Sequence, residues 1–234
     1  MNVLEICQNA LQEIGSFEVP DSLVGNSNET ARQMLALACR EGDVLARRCP
    51  WSALVRRFDI TTVAGQDFYA APEDVRSYLD GTWLDETHKW PLVGPALPRE
   101  WQALRAHDAL ARSHRMFRIE GAGIRLLPVP AVSGERISLE YVSSHWCVAQ
   151  DGTRRARFAA DTDAPMLDPF LLRMGVKFRF LKEKGLPWEA DYAEYDRELR
   201  GAVARDGAAP SLLMGGGTCA GPALPGLPDS GFGG

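Results

Sequence analysis

Apolar positions at the start of the chain recur with helical spacing. Val3, Cys7, Ala10 and Ile14 form one stripe, Leu4 and Leu11 flank it, and Gly15 ends it. A second helix is predicted from near Asn26, with Glu29 three residues on as the partner of a capping box. Its stripe runs through Ala31, Met34, Leu35, Ala38, Leu45 and Cys49 until Pro50 stops it. The two helices are expected to pack antiparallel across the loop FEVPDSLVGNS.

Beyond Trp51 the period falls to two. Phe58, Ile60 and Thr62 alternate, AGQDFY turns into a second short strand, and APEDVRSYL supplies a third. TWLDETHKWPL reads as a hairpin with its tip near Glu86, and FRIEGAGIRLLPVP as another around Gly121 and Gly123. Between them, PREWQALRAHDALARS is a short helix with proline in its first turn, and ERISLEYV alternates again afterwards. Helical period returns after Asp163, in the stripe Leu167, Phe170, Leu171, Met174, Phe178 and Leu181. Asp161, Asp163 and Pro165 stand at its start and Lys182 and Lys184 at its end, a charge order that suits the helix dipole. After Gly185, Pro187 opens a last helix whose Trp188, Tyr192, Tyr195, Leu199 and Ala202 share a face, closed by Gly207.

The predicted fold class is therefore α+β. Residues 1–53 and 160–207 form a helical bundle, residues 54–159 a β-rich antiparallel insertion, and residues 208–234 an extended, flexible C-terminal arm. From Gly207 to Gly234 the chain has nine glycines, four prolines and one charged residue, Asp229. Leu212, Leu213, Met214, Leu224, Leu227 and Phe232 are spaced along it. A nearly uncharged segment with dispersed apolar side chains suits insertion into a partner's groove.

Composition narrows the function more than it defines it. A net charge of −5 over 234 residues argues against broad electrostatic affinity for nucleic acid. The five cysteines are odd in number and form no CxxC pair, so they read as free thiols in a reducing compartment. MNVLEICQNALQEIG lacks a basic leader, and no apolar run approaches the roughly 18 residues of a membrane span.

Catalytic spacing is absent from the sequence. His88, His107, His114 and His145 are scattered, and no third ligand of fixed spacing accompanies His107 and His114, so neither a metal nor a cofactor is expected. No nucleophile elbow, phosphate-binding loop or dinucleotide fingerprint occurs, and the glycines from Gly215 follow no strand. Glu73 and Asp74 beside Pro72 read as turn residues rather than an acid–base pair. Arg154, Arg155 and Arg157 read as a solvated loop or a subunit-to-subunit ion-pair site. Trp83 and Trp90 flank the predicted hairpin tip, where core and interface readings are evenly matched; interfaces enrich tryptophan.

The order of these elements resembles the head-to-tail adaptor proteins of short-tailed bacteriophages, the family of T7-type tail tubular protein A and related head-completion proteins. The likeness rests on the opening LEICQNALQEIG helix, a second helix ending in CPW, and the strand-turn AGQDFYAAPEDVRSYL. FRIEGAGIRLLPVP followed by ISLEYV, and the closing helix pair, extend it over residues 2–206. What the resemblance implies is a structural, non-enzymatic virion protein made in the host cytoplasm and placed at the head–tail junction. It implies a homo-oligomeric ring, twelve-fold, clamped beneath the portal, extending the channel for double-stranded DNA and carrying the tail nozzle. Trp83, Glu86, His88, Lys89 and Trp90 are then the contact to the next tail component. Leu212, Leu213, Met214, Leu224, Leu227 and Phe232 are the portal-binding arm. Two other readings compete: a tail-associated peptidoglycan hydrolase, and a single-stranded nucleic-acid module stacking bases on Trp83, Trp90 and Trp101.

Overall fold

A computed structural model describes residues 1–15, 17–106 and 115–207. The α+β class predicted from the sequence is the class observed. Helix α1 spans Val3–Ile14 and carries the capping box: Asn2 accepts from the Glu5 amide at 2.8 Å while the Glu5 carboxylate accepts from the Asn2 amide at 3.1 Å. Helix α2, Glu29–Arg48, is capped differently from the expectation. Asn28 is its cap, accepting from Thr30 and Ala31 amides, and Asn26 instead accepts from the Asn28 amide. Glu29 is then the first helical residue, too near the cap to reach back to it.

Two later helix starts also shift. Helix α4, Pro169–Glu183, begins after Asp168, whose carboxylate accepts from the Phe170 amide at 2.8 Å. Asp161 and Asp163 lie outside it and organise loops. Asp161 accepts from the Leu23 and Val24 amides, and Asp163 from those of Ala159 and Ala160. Helix α5, Glu189–Asp206, starts two residues past Pro187, with Trp188 at the cap position. Short helix α3 is Pro98–Ala106; His107 and His114 lie outside the described residues.

Helix α4 is the hub of the bundle, packed against by α1, α2 and α5. Two glycines permit close approaches in it. A Cβ on Gly175 of α4 would sit 2.4 Å from the Glu41 carboxyl carbon, and one on Gly42 of α2 would sit 2.2 Å from the Trp146 ring.

The strands are short: β1 Val55–Thr61, β2 Phe68–Ala70, β3 Val75–Tyr78, β4 Leu84–Asp85, β5 Trp90–Pro91, β6 Met116–Glu120 and β7 Gly123–Leu127. They continue with β8 Arg136–Ser143, β9 Cys147–Val148, β10 Arg154–Arg155 and β11 Ala164–Pro165. One sheet runs β1-β8-β4-β5 with β3 also on β8, a second runs β2-β7-β6, and a third β10-β9-β11. A bridge between Val93 and Met116 joins the first two.

Strand β8 links the two cores. Ile137 and Leu139 belong to the cluster between the sheets, with Tyr69, Trp83, Phe117 and Ile124. Val142 belongs to the helical cluster, as do Trp146 and Phe158. The helical core therefore draws on residues inside the β-rich segment. The third sheet was not foreseen, and it changes the reading of the arginine run. Arg155 pairs with the buried Asp163 at 3.4 Å and Arg157 with Asp43 at 3.5 Å, within one chain.

Candidate functional site

The β4–β5 hairpin and the residue before it hold the five residues expected from the sequence to meet the tail, and the tip's geometry follows from one aspartate. Asp85 ends β4, opposite Trp90 across the ladder. Its Oδ1 accepts from the Thr87 and His88 amides at 3.0 Å each, an Asx turn that fixes the tip locally. Its Oδ2 meets Arg115 Nη1 at 2.8 Å and His88 Nδ1 at 3.0 Å. Arg115 also reaches Glu135 at 2.6 Å, so a buried carboxylate, a guanidinium and a second carboxylate lock the tip to the sheet.

Outside this lock is a partly exposed cluster of charge. Glu86 pairs with Arg57 and, at 3.5 Å, with Arg136, while Thr87 Oγ1 accepts from the Arg136 amide. Hydrogen bonds from Arg57 to Asp59 and Glu86 push its pKa further up. Lys89 takes the turn with φ 62°, a left-handed conformation that is uncommon for residues other than glycine.

The two tryptophans part company here. Trp90 is 57% exposed, whereas Trp83 is 4% exposed and stacked on Phe117 with centroids 3.7 Å apart and planes 13° apart. Tyr78 covers its other neighbourhood at 5.3 Å. Trp83 therefore anchors the sheet core, and the outward surface consists of Glu86, His88, Lys89 and Trp90. Trp101 is buried as well, which removes it as a stacking platform in this conformation. Leu212, Leu213, Met214, Leu224, Leu227 and Phe232 lie outside the described residues.

Sequence reasoning missed the groups that hold the tip. The Asp-x-Thr step at Asp85 was a local signal; Arg115 and Glu135 had none, being distant in sequence. Asp74 lies in the turn that the sequence suggested, and it does more than shape that turn. Its carboxylate accepts from Tyr141 at 2.9 Å, Ser143 at 2.6 Å and Arg56 at 3.0 Å, tying β3 to β8 and β1.

A second buried carboxylate, Glu41 of α2, also went unnoticed. It receives hydrogen bonds from Tyr195 of α5 and Arg179 of α4. Burial raises its pKa despite both partners, and burial together with the adjacent carboxylate raises that of Tyr195. The trio cross-braces three helices.

Among the described residues, no group of three or more His, Cys, Asp or Glu side chains is arranged to hold a metal. Nor is any described helix long and apolar enough to cross a membrane. Cys7 and Cys147 are buried thiols, with burial foremost in raising both; Cys147 is pushed up to about 12.

A family model described as SU10 adaptor protein matches residues 1–214. No curated protein matches the sequence significantly.

Proposed function

Because the chain belongs to the SU10 adaptor protein family, a phage head-to-tail adaptor family, we propose that it assembles as a ring beneath the portal. The family places it as a structural virion component at the head–tail junction, interacting with portal and tail. The finer reading is of the T7-type tail tubular protein A kind. Twelve copies extend the DNA channel, and their β-rich regions form the platform for the nozzle.

The observation that carries this is the match over residues 1–214, which spans both helical segments and the β-rich region between them. The division of labour follows the sequence boundaries: residues 1–53 and 160–207 for the ring, 54–159 for the tail contact and 208–234 as the arm to the portal. A net charge of −5 suits a conduit that must release the DNA passing through it. The tail contact reduces to Glu86, His88, Lys89 and Trp90, with Trp83 as their support from within.

The test is to add purified protein to DNA-filled, tail-less heads and image the product by electron microscopy. A twelve-fold ring under the portal is the expected outcome. Heads left undecorated, or density attached elsewhere, would refute the reading.

A further inference from the structure

The outward side of α2 carries a groove of about 880 Å³, running between that helix and the segments around Leu23 and Phe158. A recess of about 580 Å³ continues it past Asp43 and Arg47 toward Arg76 and Ser144. The floor is apolar, with Leu35, Cys39 and the 42% exposed Val44 along it. Arg32, Arg40, Arg47, Arg76 and Arg157 stand around it, with Asp43 the only carboxylate among the described lining residues. Arg32, Arg47 and Arg76 have no ion-pair partner among the described residues. This surface takes no part in the tail contact proposed above.

We propose that this groove seats the chain's own C-terminal segment, residues 208–234, bound in cis. Three observations converge on that occupant. The first is position. Asp206, the last residue of α5, accepts from the Ser52 amide at 2.8 Å and the Ser52 hydroxyl at 2.7 Å. Ser52 follows the end of α2, so the chain leaves α5 beside the Arg47 end of the groove.

The second is reach. From Arg47 to Arg32 the helix runs about 22 Å, at about 1.5 Å per residue. About seven extended residues span that length at about 3.3 Å each, and the segment from Ala208 to Gly234 has many more.

The third is chemistry. Leu212, Leu213, Met214, Leu224, Leu227 and Phe232 match an apolar floor. A backbone rich in glycine and proline forms no regular helix and leaves its carbonyls without internal donors. Guanidinium groups, each with five N–H donors, supply partners for those carbonyls and for Asp229. Seating in the free subunit is independent of the proposed portal contact, since a tail held here can be exchanged onto the portal during assembly.

The protein carries its own probe pair, Cys39 in the groove and Cys219 in the segment. Treating the purified chain with a short bis-maleimide, then digesting it for mass spectrometry, should yield a Cys39–Cys219 linked peptide from material that runs as monomer. The link recovered only from dimers would place the segment on a second copy and overturn binding in cis. Both thiols labelled singly, with no link, would overturn it too. The second arm removes residues 209–234, with circular dichroism to confirm that the rest folds. Labelling of Cys39 by a simple maleimide should then accelerate by on the order of tenfold as the groove opens. An unchanged rate would show that the segment does not cover Cys39.

Discussion

Asp74 and Glu41 are both buried carboxylates, and their surroundings push them in opposite directions. At Asp74 burial alone would raise the pKa, but hydrogen bonds from Ser143, Tyr141 and Arg56 outweigh it and lower the value below the ordinary 3.8. Its contribution to stability is therefore fully present above that ordinary value and lost as pH falls through the lowered one. Asp74→Asn should flatten the fall of the urea midpoint as pH drops below about 4. An acid limb as steep as that of the parent would show that Asp74 does not drive it. At Glu41 burial outweighs its partners and raises the pKa, and the charged form depends on Arg179 for compensation. Arg179→Met should destabilise by about 3–5 kcal/mol at neutral pH, because it strands a buried charge. Restoration of much of that loss by adding Glu41→Gln, read from denaturant midpoints, checks the cause.

Elements are joined here by close approach and by turn chemistry. Gly42 lets α2 lie against the Trp146 ring, so Gly42→Ala forces overpacking of about 1–3 kcal/mol, measurable as a lowered melting temperature. In the hairpin, the exposures of the two tryptophans predict opposite phenotypes. Trp83→Ala should cost about 3–5 kcal/mol by emptying the site stacked on Phe117. Trp90→Ala should cost about 1 kcal/mol or less of stability while leaving head attachment intact and abolishing tail attachment. Normal tail attachment by a folded Trp90→Ala protein would remove Trp90 from the interface.

At the scale of the whole molecule, the outward face of the last helix is charged. Helix α5 exposes Glu189, Glu194, Arg197 and Arg200, and exposed pairs of this kind contribute little individually. The isolated protein should therefore sediment as a monomer at micromolar concentration and form its ring only on the portal. A stable ring of the purified chain alone would contradict this.

The sequence by itself determined the class of the fold and most of its elements. Helical and strand periods, and stop residues such as Gly15, Pro50 and Gly207, are written within a few residues of where they act. Asn26 and Asn28 show the limit of that legibility: both can cap, and only the geometry of the preceding turn selects Asn28. The hairpin was readable because Trp83, Glu86 and Trp90 lie close in sequence. Which indole faces inward was not, because stacking on Phe117 depends on a strand from a different sheet. The same holds for Asp85 with Arg115, for Glu41 with Arg179 and Tyr195, and for the arginine-lined groove of α2. Each is assembled from residues far apart along the chain, and a sequence fixes only neighbours. Burial, charge pairing and groove shape arise when distant elements meet, so those were decided by the tertiary structure alone.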